Sequence, residues 1–93
     1  FRPADTNTVD GKEYNRVYNT ALITGGGVHK GYDKIHTYDA FDYRESDTVL
    51  AGESLVAFDV DDLVVGVATC YDIRFPEQFK ELASQGAQLI VVP

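Results

Sequence analysis

The stretch from residue 63 to the end, "LVVGVATCYDIRFPEQFKELASQGAQLIVVP", limits what this chain can fold into more than any other part of it. Residues 63–70 are apolar at nearly every position, as a strand covered on both faces requires; a strand with one wet face would alternate. Pro76 then opens a segment in which Phe79, Leu82 and Ala83 share one helical stripe while Glu77, Gln78, Lys80, Glu81 and Gln85 face away. Gly86 suits the helix exit, and "QLIVVP" reads as a second buried strand. Strand, helix and strand make a βαβ unit, with its two strands parallel in one sheet. The fold class expected is therefore α/β. Such a sheet has two apolar faces and only one clear helix is supplied, so something else has to complete the core. A chain of 93 residues is one domain at most. It begins at Phe1 and stops at Pro93 directly after an apolar run, so residues 1–93 are expected to be a partial domain with both ends cut.

Two hairpins are expected before the helix. In the first, "VYNTALIT" stops at three consecutive glycines, Gly25 to Gly27, and "VHKGYDKIH" returns with Val28, Lys30, Tyr32 and Lys34 on one face, Lys34 standing at the strand end. In the second, "LVAFDV" and "LVVGVATC" meet at Asp61 and Asp62, which sets Cys70 at the end of a central strand. Residues 1–16, with Pro3, Asp5, Asn7, Asp10 and Gly11 and no apolar period, read as a loop. Residues 36–54 read as a long irregular loop, of the kind that often carries function.

The formal net charge of −7 and the lack of a basic stripe exclude nucleic acid and anionic membrane surfaces as natural partners. No apolar run reaches the length of a membrane span and no basic-then-apolar leader opens the chain, so a soluble protein is expected. The single cysteine has no internal disulfide partner, which makes a reducing cytoplasm the default compartment. His29 and His36 stand in no metal-ligand spacing, and no metal or cofactor is expected. Asp59, Asp61 and Asp62 lack the glycine and terminal glutamate of a calcium loop, and "GGGVHKG" leads into no helix and so is not a phosphate loop.

Cys70 is the candidate nucleophile, because crevices in α/β sheets form beyond the carboxyl ends of strands. There the N–H of Tyr71 can face a developing oxyanion, and the helix N-terminus that follows favours negative charge. Cysteine is also among the most buried residue types, and core filling is the competing reading. Lys34 and Glu45 taken singly look like surface residues. Taken together, "YDKIHTYDAFDYRES" followed by "GVATCYDIRFPE" resembles the nitrilase superfamily of carbon–nitrogen hydrolases, most closely its omega-amidase and deaminated-glutathione-amidase branch, in order from Val17 to Pro93.

That resemblance implies a segment of an α-β-β-α sandwich and the hydrolysis of a small amide through a cysteine acyl-enzyme. It makes Cys70 the nucleophile, Lys34 the cation that stabilises the tetrahedral intermediate beside the Tyr71 N–H, and Glu45 the supporting glutamate that orients Lys34 or substrate. It also implies a general-base glutamate on a strand upstream of this chain, so the 93 residues alone are expected to be inactive, and it implies a homo-oligomer. Asp72 and Arg74 are expected to hold the turn, paired with each other or with neighbouring carboxylates. Nitrile or N-carbamoyl hydrolysis by the same residues, and a non-catalytic binding or assembly role on the same fold, are the alternatives.

Overall fold

The computed structural model describes all 93 residues, Phe1–Pro93. Its spine is the expected βαβ unit. Strand β5 (Val56–Val60) turns at Asp61 and Asp62 into β6 (Leu63–Val67), helix α1 (Pro76–Ser84) follows, and β7 (Leu89–Val91) returns. β6 is central, antiparallel to β5 and parallel to β7, with Gly66 opposite Ala57 on one side and Ile90 on the other. The parallel ladder runs past Val67: the Ala68 N–H donates to the Val91 carbonyl at 3.0 Å and the Cys70 N–H to the Pro93 carbonyl at 2.9 Å. Cys70 therefore ends the central strand, as its position in the sequence predicts.

Val65, Val67, Ala68 and Leu82 are buried, and Leu82 of α1 lies over Gly66 of β6. Gly66 is what lets the helix approach so closely, because a methyl there would meet both Leu82 δ-carbons at 3.2 Å. The helical stripe differs from expectation in two places: Ala83 is exposed, and Gln78 is buried at 5% exposure. A polar side chain can occupy the inner face because a partner waits for it there, the hydroxyl of Tyr32, to which Gln78 Nε2 donates at 2.8 Å.

The first expected hairpin forms as β3 (Thr20–Gly25) and β4 (Val28–Asp33), with Gly26 and Gly27 both at positive φ in the two-residue turn, and Lys34 follows β4 directly. Residues 1–16 are not a loop. They form a third hairpin, β1 (Arg2–Val9) with β2 (Lys12–Tyr18), turning at Asp10 and Gly11, both at positive φ. This hairpin has no buried face to impose apolar alternation. Its rungs are held instead by the ladder, by the two-pronged Arg16–Asp5 ion pair at 2.6 Å on both contacts, and by the Arg2–Asp33 pair to the next hairpin. The Asp-Gly dipeptide is the part of the sequence that announces it. Residues 36–54 are largely irregular, as expected, but pinned: Val49 is buried, and Val17 accepts from the Leu50 N–H and donates to the Thr48 carbonyl, each at 2.9 Å.

Only 12 of 93 residues are buried, and the radius of gyration is 14.8 Å against roughly 12 Å for a compact domain of this length. The outer faces stay apolar and open at Leu22, Leu89 and Val91. One helix leaves the sheet faces uncovered, as the sequence requires. That helix has nine residues, and none in the chain is long and apolar enough to cross a membrane.

Candidate active site

Cys70 leaves the strand with φ at 47°, in the left-handed region that L-residues rarely adopt, and its thiol is exposed. A backbone held there is strained, and such strain collects where a side chain has to be presented rather than packed. Within this chain the thiol fills no core. A 3-10 turn (Cys70–Arg74) starts at this residue, so the N–H of Tyr71 has no carbonyl within the turn to donate to. This turn separates Cys70 from α1, which begins at Pro76, where the sequence places the helix start. The proline cannot be preceded comfortably by helical backbone, which delays the helix.

Lys34 and Glu45, unremarkable in the sequence, are buried at 4% and 9% exposure. Lys34 Nζ donates to Glu45 Oε1 at 2.9 Å and to Oε2 at 3.2 Å, and Glu45 Oε1 also accepts the Tyr38 N–H at 2.6 Å. The Lys34 backbone is clamped on both sides, its N–H donating to the Asn19 carbonyl and its carbonyl accepting from the Gly52 N–H, each at 2.8 Å. An ion pair so enclosed is costly to desolvate and costly to break, and its geometry is held from several directions.

Lys34, Glu45, Cys70, Tyr71 and Arg74 line one cleft of about 450 Å³, and Tyr38, Tyr43 and Ile73 give it apolar walls. Two of the lining residues are braced by aromatic contacts: Tyr38 meets Tyr71 edge to face at 5.0 Å between centroids, and Tyr71 meets Phe75 likewise at 5.4 Å. The structure thus brings the sequence-predicted residues Cys70, Lys34, Glu45 and Tyr71 to a single opening.

Asp72 and Arg74 do not pair. Arg74 is exposed and forms no ion pair, leaving its charge at the cleft. Asp72 is fully buried and has no room for a guanidinium, because four donors already fill its oxygens. Oδ2 accepts from the Tyr32 hydroxyl at 2.5 Å and the Thr69 N–H at 2.8 Å; Oδ1 accepts from the His36 N–H at 2.9 Å and contacts His36 Nδ1 at 2.8 Å. Burial pushes the Asp72 carboxyl up, but the bonds from Tyr32, Thr69 and His36 outweigh it and hold the group below the usual carboxylate range. Burial first, and then the Asp72 carboxylate, push the Tyr32 hydroxyl well above its usual range.

Tyr32 and Gln78 are thus structurally important residues that sequence reasoning missed; a polar residue one position from an apolar helical stripe was the available sign for Gln78. A histidine bonded to a buried carboxylate invites comparison with a cysteine–histidine–aspartate triad. Here the imidazole lies flat on Phe75, 3.7 Å between centroids and 6° between planes, and does not line the cleft. No three His, Cys, Asp or Glu side chains converge on a point that could hold a metal ion.

The sequence model of the family described as carbon-nitrogen hydrolase matches residues 5–93. A hydrolase of Mycobacterium tuberculosis is 48% identical over 91 residues, covering 94% of this chain and 31% of that protein. A deaminated glutathione amidase of Escherichia coli O157:H7 is 42% identical over 80 residues, covering 84% of this chain and 30% of that protein. The chain spans about a third of the length of these relatives. Among solved structures, a mutant of the Nesterenkonia AN1 amidase from the nitrilase superfamily superposes with a TM-score of 0.70 at 25% identity, over 86% of this chain and 30% of that one.

Proposed function

The chain belongs to the carbon–nitrogen hydrolase family, and from that premise we propose that it carries the nucleophile and the oxyanion-stabilising groups of an amidase acting on a small amide. The Cys70 thiolate attacks the amide carbonyl carbon, and the carbonyl oxygen takes the negative charge facing Lys34 and the Tyr71 N–H. The carbon–nitrogen bond then breaks, the amine leaves with a proton, and the acyl group stays on sulfur as a thioester. Water adds to that thioester, releases the carboxylic acid and returns the thiol.

The observation that carries this reading is the exposed, strained Cys70 opening onto the same cleft as the buried Lys34–Glu45 pair. Both oxygens of Glu45 are engaged, by Lys34 and by the Tyr38 N–H, which suits a group that orients the cation rather than one that shuttles protons. The proton carrier then comes from the glutamate that the family resemblance sets on another strand of the whole protein. Lys34 and Glu45 offset each other, so Arg74 is the unpaired charge of the cleft and favours an acyl portion that ends in a carboxylate. A reducing cytoplasm, where a lone thiol persists, and a homo-oligomer complete the reading.

The test is turnover of a neutral amide and of a carboxylate-bearing amide of equal length by the whole protein that carries this chain. Ammonia release that prefers the acidic amide and vanishes in Cys70→Ala is expected, with Arg74→Gln raising KM for the acidic amide alone. Undiminished release in Cys70→Ala would overturn the proposal.

A further inference from the structure

Two segments that are distant in sequence carry the groups at the cleft, and among the hydrogen bonds of the structure one side chain joins them. Tyr32 and His36 stand two residues on either side of Lys34, and both bond to Asp72. Thr69 stands directly before Cys70, Asp72 two residues after it, and the Thr69 N–H bonds to the same carboxylate. Asp72 therefore grips the chain on both sides of Lys34 while closing the turn that bends Cys70 into positive φ. The Tyr32 hydroxyl extends the grip to the Ile35 N–H at 3.2 Å and to Gln78 of α1 at 2.8 Å. Resting on the hydrolase reading above, we propose that Asp72 is a positioning residue for the reaction, fixing Lys34 relative to Cys70 without touching substrate.

The chemistry of the site makes the claim specific. Each carboxylate oxygen accepts two bonds, and the pairs on the two oxygens belong to different attachments: Tyr32 and Thr69 on one, both His36 contacts on the other. An asparagine has one accepting oxygen, so whichever way its amide is turned, the backbone N–H of Thr69 or of His36 meets an NH₂ group. A glutamate adds a methylene where no surface is free. Displacement of a stabilising group by about 1 Å is enough to cost roughly 100-fold in rate.

The experiment compares Asp72→Asn, Tyr32→Phe and the control Leu82→Ala with wild type in the whole protein carrying this chain. Leu82 packs in the core under Gly66 and takes no part in the cleft, so its truncation lowers stability by itself. Two readouts are taken well below each variant's melting temperature: kcat and KM for an amide, and amide hydrogen exchange. Asp72→Asn is expected to lower kcat at least 10-fold with KM within about 3-fold. It should also speed exchange in residues 32–38 and 69–72 together. Tyr32→Phe, which removes one of the four bonds and tests the idea should Asp72→Asn fail to fold, should do the same to a smaller extent. Leu82→Ala should leave kcat in place. Undiminished kcat in Asp72→Asn, or a loss in Leu82→Ala as large as in Tyr32→Phe, overturns the proposal. A wild-type protein that hydrolyses no amide overturns the hydrolase reading and with it the positioning role, whereas the exchange arm still shows whether Asp72 joins the two segments.

Discussion

Breaking the Lys34–Glu45 pair and then removing both partners should separate stability from activity. Lys34 and Glu45 are almost wholly buried, so removing one partner leaves a charge in a place where water cannot solvate it. Glu45→Gln keeps an accepting oxygen for the Tyr38 N–H and removes only the charge that faces Lys34. Lys34→Met keeps the length of the side chain and removes the cation. Breaking a buried pair from one side costs about 3–5 kcal/mol, whereas replacing both partners with neutral groups of similar volume is close to neutral. Each single variant is therefore expected to lose about 3 kcal/mol, and the double variant should recover at least about 2 kcal/mol of the summed loss, a coupling of the size seen between contacting residues. Urea unfolding of the four proteins gives the cycle, and amide turnover is measured on the same samples. Turnover should stay lost in the double variant, because the restored stability does not restore the cation. A double variant as unstable as the sum of the singles would refute the buried-pair argument, and one that regains turnover would refute the role of Lys34.

Stability should fall at both ends of the pH range for separate reasons. The Asp72 carboxyl is held below its ordinary value of 3.8, so its contribution is present above that pH and is lost as pH falls through the folded value. The Tyr32 hydroxyl is held above its ordinary value of 10.0, so its contribution is complete below that pH and is lost as pH rises. In urea midpoints measured against pH, Tyr32→Phe should flatten the alkaline limb; an unchanged limb would contradict the assignment. Gly52→Ala should destabilise by about 1–3 kcal/mol, since the new methyl would lie 2.3 Å from the Asp33 carbonyl oxygen beside Lys34. An unchanged urea midpoint would show that the Asp33 backbone yields there freely.

The βαβ unit was legible because its signals are dense: an unbroken apolar strand, a proline-led helix and a second apolar strand. The β3–β4 hairpin showed itself through three glycines. β1 and β2 did not, because Arg16, Asp5 and the ladder hold them where an apolar face would have left a period. Of the site, Cys70 could be placed by topology, while Lys34 and Glu45 stood out only through the family resemblance. Their burial depends on a contact across 11 positions that no local pattern encodes. The same holds for Arg74 and Asp72, close enough in sequence to suggest a pair. The bonds that claim Asp72 arrive from Tyr32 and His36, 40 and 36 positions away, and only the fold brings them in.

The central claim, that Cys70 takes the acyl group of an amide, is tested most directly by mass. Incubating the whole protein that carries this chain with an amide substrate, quenching in acid and analysing the peptides should show the Cys70 peptide heavier by the acyl group, with hydroxylamine removing the increment and Cys70→Ala abolishing both adduct and turnover. Full amidase activity in Cys70→Ala, or an acyl group found on another residue, would contradict the account.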